Sequence, residues 1–257
     1  MNHYDFIVKT VREAGELLLK LRDEGFTATH KGSDTRDIVT SVDTAVNDFI
    51  ISKIKEMFPE DGVYSEESVG IEAEKNSWAI DPIDGSSNFA RGIPHCAVCI
   101  AHLSGGVPDA GAVYNPVTNE LFSFKKDGGA FLNGKQIYVS KITELKEASV
   151  FLHAGRKPEL WDWGGASYTK LLAGAKKTLN YGGSALDACF VASGRIEANI
   201  YGRLSTMDIA SAIGILLEAG GRVVNDNGEP AVFSTEPQKV LMTNCKEIEQ
   251  SLLKLLF

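Results

Sequence analysis

The strongest constraint on folding lies between residues 77 and 140, where short apolar segments follow one another with a turn signal between each pair. The segments SWAID, HCAVCIAHL, DAGAVYN, ELFSFKK and QIYVS read as strands, and SGG, NPVTN, DGG and NG read as the turns. Strands this close together form an antiparallel meander, and a sheet with apolar residues on both faces needs cover on both. Cover is available upstream. Phe6, Ile7, Val11, Ala14, Leu17, Leu18 and Leu21 recur at helical spacing and predict an amphipathic helix over about 5–24. Val46, Phe49, Ile50, Ile54 and Met57 predict a second helix over about 43–58, stopped by Pro59 and the Asp61-Gly62 pair.

The pattern changes near Ser149. Strands at VFLHA, KTLNY, EANIY, GRVVN and KVLMT alternate with helices near 163–175, 184–193, 207–219 and 245–256. The expected organisation is an N-terminal α+β half, residues 1–148, and a C-terminal α/β half, residues 149–257, sharing one site. A chain of 257 residues buries a sizeable core without disulfides or structural metals.

The first residues mix charges of both signs with apolar positions, so no signal peptide is expected, and no apolar run reaches the length of a membrane span. Four cysteines are too few for a disulfide framework in a chain of this size, and the cytoplasm is the expected location. The net charge of −8 argues against nucleic acid and against an anionic membrane as partners. The segment HCAVCIAH resembles a zinc cluster, yet on a strand Cys96 and Cys99 fall on opposite faces and cannot share an ion.

The chemistry concentrates in WAIDPIDGSSNF. An apolar strand delivers Asp81 and Asp84 at its end, with Pro82 between them and Gly85 next. Carboxylates this close repel unless a cation lies between them, and a hard divalent ion prefers oxygen ligands. Gly85 lets the backbone approach a ligand, and a helix beginning at Gly85 or Ser86 would offer free N–H groups to a phosphate. Further acidic residues stand beside strand ends or helix starts: Glu66 and Glu67 after GVYS, Asp37 and Asp43 in DIVTSVD, and Asp208, expected to open a helix.

Together DPIDGSSNF, YSEES, DIVTSVD and MDIASAIGILLEAGG resemble, in order, the signature blocks of the inositol monophosphatase family of lithium-sensitive, Mg²⁺-dependent phosphatases. The resemblance spans nearly the whole chain. It implies a layered α+β sandwich in the order αβαβα, and a homodimer or homotetramer. It implies that Glu66, Asp81 and the carbonyl of Ile83 hold one Mg²⁺, and Asp81, Asp84 and Asp208 a second. Asp43 and Ser86 would orient the attacking water. Lys31, Asp37 and Glu67 would stand just outside the metal ligands. Asp84, Gly85, Ser86 and Ser87 would receive the phosphate, and Gly183 and Ser184 would meet the sugar or polyol. The implied activity is hydrolysis of small sugar or polyol phosphates, with Li⁺ as an inhibitor.

Two departures bear on substrate. Tyr201 stands where animal relatives carry a glutamate that contacts inositol, and Arg203 lies close by. GSSNFARGIPH resembles the archaeal-type branch, which acts on both fructose 1,6-bisphosphate and inositol monophosphate, and Arg203 suits a second phosphate. Hydrolysis of 3′-phosphoadenosine 5′-phosphate or NADP is an alternative, disfavoured by Ser87 where those relatives carry lysine. A catalytically idle regulatory relative is another, disfavoured because Glu66, Asp81, Asp84 and Asp208 are all retained.

Overall fold

A computed structural model of the chain describes residues 1–30, 38–71, 75–155 and 157–257. In chain order the elements are α1 (His3–Glu24), β1 (Ala28–His30), β2 (Ile38–Thr40), α2 (Ser41–Met57), β3 (Gly62–Ser65), β4 (Ser68–Ile71) and β5 (Asn76–Asp84). Next come α3 (Ser86–Ala90), β6 (Ala97–Ser104), β7 (Val107–Asn115), β8 (Glu120–Lys125), β9 (Gly129–Leu132) and β10 (Lys135–Ile137). The remainder comprises β11 (Ser149–His153), α4 (Trp161–Gly174), β12 (Lys177–Leu179), α5 (Ser184–Ala192), β13 (Ala198–Leu204), α6 (Ala210–Glu218), β14 (Arg222–Val224), β15 (Gln238–Thr243) and α7 (Lys246–Leu256).

The apolar residues sort into three buried layers because strand side chains alternate between faces. On β6, Val98 and Ile100 join α1 and α2, whereas Ala97 and Cys99 face the opposite way, toward α5 and α6. On β11, Phe151 faces α5 and α6, whereas Val150 and Leu152 face α4 and α7. The layers are therefore α1/α2, an eight-stranded sheet, α5/α6, a five-stranded sheet, and α4/α7: a layered α+β sandwich in the order αβαβα. The larger sheet runs β10-β9-β8-β7-β6-β5-β3-β4, with β5 to β10 antiparallel and β3 parallel to β5. The smaller runs β12-β11-β13-β15-β14, parallel across its first three strands and antiparallel at β15.

Local signals explain the element ends that position the site. Thr40 caps α2 and Asp43 reaches back to the Thr40 N–H, a reciprocal capping box. Thr40 supplies its N–H at 2.7 Å and its hydroxyl at 2.5 Å to Asp43 Oδ2. By contrast, α5 begins at Gly183 with no side-chain cap of its own. The final meander strand is shorter than QIYVS suggests, ending at Ile137, and α6 starts at Ala210, so Asp208 lies in the turn before the helix and does not open it.

Candidate active site

Asp81 and Asp84 are three residues apart, which in a regular strand would send them to opposite faces. The structure resolves this with a bulge. Asp81 lies opposite Cys99 and Asp84 opposite Ala97, so three steps along β5 match two along β6. Residues directly opposite share a face, and Cys99 and Ala97 both face the α5/α6 layer. The extra residue thus turns both carboxylates the same way. Pro82 has no N–H to lose here, and the Ile83 N–H donates to Asp81 Oδ1 at 3.0 Å. Gly85 follows with φ of +83°, and a Cβ there would sit 2.8 Å from the His95 carbonyl oxygen. Only glycine makes that turn, which starts α3 at Ser86.

Ser86 meets the capped end of α2. Its Oγ lies 2.9 Å from Asp43 Oδ1 and 2.9 Å from the Ile83 carbonyl oxygen, so one hydroxyl proton is shared between two acceptors. Thr40 occupies the other Asp43 oxygen and fixes the carboxylate's rotation. Ser87 is half-buried one position further along α3.

The second sheet closes the site from the other side. Asp84 Oδ1 accepts from the Ser184 N–H at 2.9 Å and its hydroxyl at 2.6 Å, and Oδ2 accepts from the Ala185 N–H at 3.0 Å. Asp84 is therefore the cap that α5 lacks, supplied from a hundred residues away. In this structure the Ser184 hydroxyl is directed at that carboxylate, with buried Gly183 just before it. Asp208 lies in a turn anchored by Thr206, whose hydroxyl donates to the Val232 carbonyl oxygen at 2.7 Å. Tyr64, from β3, donates to Asp208 Oδ1 at 2.8 Å. Burial, and then the adjacent Asp208, push the Tyr64 phenol well above its usual range.

Electrostatics show which acids converge. Burial pushes Asp81 well above the usual carboxylate range, and Glu66, Asp84, Asp208 and Asp43 push it further in that order. Burial also raises Asp84, opposed by its hydrogen bonds from Ser184 and Ala185. Glu66 sits exposed in the turn after β3, its N–H bound to the Ile80 carbonyl oxygen at 3.3 Å, and Glu67 follows with its N–H on Ser65 Oγ. Lys31 and Asp37 lie outside the described residues. Arg203 is exposed and, among the described residues, forms no ion pair. Tyr201 is buried with its ring lying flat on His153 at 4.3 Å.

The acids fit a hard divalent cation. Every side-chain donor is a carboxylate oxygen, and crowding plus burial makes the set unfavourable without a compensating positive charge. The hydrogen bonds to Asp84 leave each oxygen a further lone pair, as in a ligand oriented from behind.

Two other clusters do not form metal centres. Cys96 packs against the α1/α2 layer and Cys99 against α5/α6, on opposite faces as their spacing requires. Burial pushes the Cys96 thiol up to about 12, so it is an inert core residue. His3, His102 and Asp109 bring ligand atoms within 4.8 Å of one another. However, the two imidazoles stack 3.7 Å apart and 19° from parallel, so their in-plane lone pairs do not converge, and His102 Nδ1 is committed to Asp109 at 2.6 Å.

Comparison with known proteins places this geometry. A sequence profile of the inositol monophosphatase family matches residues 2–256. The chain belongs to the inositol monophosphatase family. Among its relatives within that phosphatase family is a protein named fructose-1,6-bisphosphatase/inositol-1-monophosphatase from Thermotoga maritima. It is 31% identical over 231 residues, covering 90% of this chain and 88% of the relative. Another relative, named Nus factor SuhB, from Pasteurella multocida, is 33% identical over 228 residues, covering 86% and 84%. The solved structure of a Thermotoga maritima inositol monophosphatase superposes with a TM-score of 0.90 at 29% identity, covering 100% of this chain and 97% of that one.

Within this inositol monophosphatase fold, Thr40 of the DIVTSVD block starts a T-x-x-D capping box, whereas three other polar residues were not legible in the sequence. Tyr64, His153 and Asp187 carry no local signal, because their partners lie 144, 34 and up to 92 residues away.

Proposed function

We propose that the protein is a Mg²⁺-dependent phosphomonoesterase that hydrolyses small sugar or polyol phosphates, inositol monophosphate and fructose 1,6-bisphosphate among them. The observation that carries this reading is the gathering of Glu66, Asp84, Asp208 and Asp43 around buried Asp81, with the Ser86 hydroxyl held between Asp43 and Ile83. Glu66, Asp81 and the Ile83 carbonyl would hold one Mg²⁺, and Asp81, Asp84 and Asp208 a second; bound there, the ions would supply Lewis-acid charge that favours attack by water and departure of the alkoxide.

The chain's own groups arrange the rest. Thr40 locks Asp43 so that Oδ1 faces Ser86. Because the Ser86 proton is donated to Asp43 or Ile83, its oxygen lone pairs accept from a water and aim it. As the water attacks in line, its proton passes to Ser86 while the Ser86 proton passes to Asp43, the bond from phosphorus to the alkoxide breaks, and the alkoxide takes a proton back through solvent, without a covalent intermediate. The backbone N–H groups of Gly85, Ser86 and Ser87 seat the phosphate beside Asp84, leaving the Ser86 hydroxyl to the water, and Gly183 and Ser184 border the leaving group. Arg203, exposed and without an ion pair among the described residues, is available to a second phosphate. Li⁺ competes for the ion sites. The protein works in the cytoplasm as a homodimer or homotetramer, and its charge of −8 opposes nucleic-acid binding.

The test is phosphate release, with and without Mg²⁺, from inositol 1-phosphate, fructose 1,6-bisphosphate, 3′-phosphoadenosine 5′-phosphate and NADP. Mg²⁺-dependent release favouring the first two supports the reading; preference for the nucleotides moves the specificity to the adenylate side. The relative named as a Nus factor favours a second, regulatory reading beside catalysis. That reading predicts a stable complex with a transcription component on co-purification, retained by an inactive Asp81→Asn variant.

A further inference from the structure

We propose that Asp187 is a positioning residue for Asp84, acting through two histidines that tie the first turn of α5 to both sheets. The proposal rests on the phosphatase reading only in taking Asp84 as a metal ligand. Asp187 lies in the first turn of α5 with no exposed surface. Its Oδ1 lies 2.8 Å from Nε2 of His95, and its Oδ2 lies 2.8 Å from Nε2 of His153. A carboxylate with one imidazole N–H on each oxygen is fixed in rotation as well as in place.

The two histidines come from different layers. His95 precedes β6 in the larger sheet, and its carbonyl oxygen accepts from Asn88 of α3 at 2.9 Å. His153 ends β11 in the smaller sheet and lies 5° from parallel with the ring of Tyr201, its register partner on β13. The same turn of helix carries the donors to Asp84. The Asp187 N–H closes that turn on the Gly183 carbonyl oxygen at 3.0 Å, and the N–H groups of Ser184 and Ala185 point out of it at Asp84. The fit is close: a Cβ on Gly183 would stand 2.8 Å from His95 Cδ2 and 3.3 Å from Asp84 Oδ2. Since α5 has no side-chain cap of its own, whatever fixes its first turn also fixes the donors that aim Asp84.

Calorimetric Mg²⁺ titration of the full chain, with steady-state kinetics beside it, separates this role from packing. Three variants suffice: Asp187→Asn, His153→Phe and His153→Gln. Phe keeps a flat ring against Tyr201 but loses the donor to Asp187; Gln keeps a donor and loses the ring. Asp187→Asn and His153→Phe are expected to weaken Mg²⁺ binding about tenfold, whereas His153→Gln stays within about twofold of wild type. In all three, substrate KM at saturating Mg²⁺ is expected to change less than about twofold. The reverse order, with Phe benign and Gln impaired, would show that the ring only packs and would overturn the proposal. Unchanged Mg²⁺ affinity in all three folded variants would overturn it equally. If Asp187→Asn does not fold, the two His153 variants decide alone. A wild-type chain that binds no Mg²⁺ would instead sink the phosphatase reading itself.

Discussion

The two sides of the site treat their carboxylates in opposite ways. On the β5 side, Asp81 is buried among four other acids, and all of them, with burial itself, push its carboxyl upward. On the α5 side, each oxygen of Asp84 and of Asp187 has a hydrogen-bond donor: backbone N–H groups and a serine hydroxyl for the first, imidazoles for the second. One side is built to be incomplete and the other to be satisfied. A cation site needs both, because crowded negative charge provides affinity and a satisfied scaffold keeps the carboxylates from relaxing away from an ion.

The contrast breaks first, and hardest, at Asp81. Asp81→Asn removes a charge from the proposed cation site with little change of shape, and turnover is expected to fall by at least on the order of 10²–10³-fold. The metal-free variant is expected to melt above metal-free wild type at pH 8, as followed by circular dichroism. The folded-state pKa of Asp81 lies above its ordinary value of 3.8, so folding takes up a proton between the two. The contribution of Asp81 to stability is therefore fully present below its ordinary value of 3.8 and is lost as pH rises through the folded-state value. The Asn variant lacks that loss.

Ser86 probes the seam between the capped helix α2 and the incomplete side. Ser86→Ala is expected to lower kcat about 10²-fold with little change in KM, since in the proposed mechanism the hydroxyl aims the water and does not hold the substrate. Ser86→Thr, which keeps the hydroxyl, is expected to restore most of the rate. A KM effect without a kcat effect would place Ser86 in substrate binding instead. The smallest effect is expected at Arg203, which is exposed. Arg203→Ala should cost about tenfold in kcat/KM for fructose 1,6-bisphosphate and far less for inositol 1-phosphate, from the loss of a charged hydrogen bond. Equal losses on both substrates would remove Arg203 from specificity.

The incomplete side was the legible one, for a physical reason. Its elements are contiguous: an apolar strand, Asp-Pro-Ile-Asp, a glycine turn and a capping-box aspartate all announce themselves within a few residues. Even there the sequence concealed the means, since Asp81 and Asp84 share a face only through a bulge in β5 against β6. The satisfied side depends on contacts across the layers. Nothing local to GGSALD says that its helix is capped by Asp84, and nothing in VFLHA says that His153 reaches Asp187. Asp208 was expected at a helix start because apolar residues follow it; the turn held by Thr206 delays α6 until Ala210. The faces of Cys96 and Cys99 were read correctly because strand alternation is a local rule.

The most direct test of the account is the effect of Mg²⁺ on thermal unfolding of wild type and Asp81→Asn, measured at pH 5 and pH 8. Binding to the folded state alone raises Tm. The account predicts a Mg²⁺-dependent rise in wild type that is larger at pH 8 than at pH 5, because protons compete less with the ion at the higher pH, and that is largely lost in the variant. An equal rise in both proteins, or none in wild type, would contradict the claim that the carboxylates around Asp81 form a cation site.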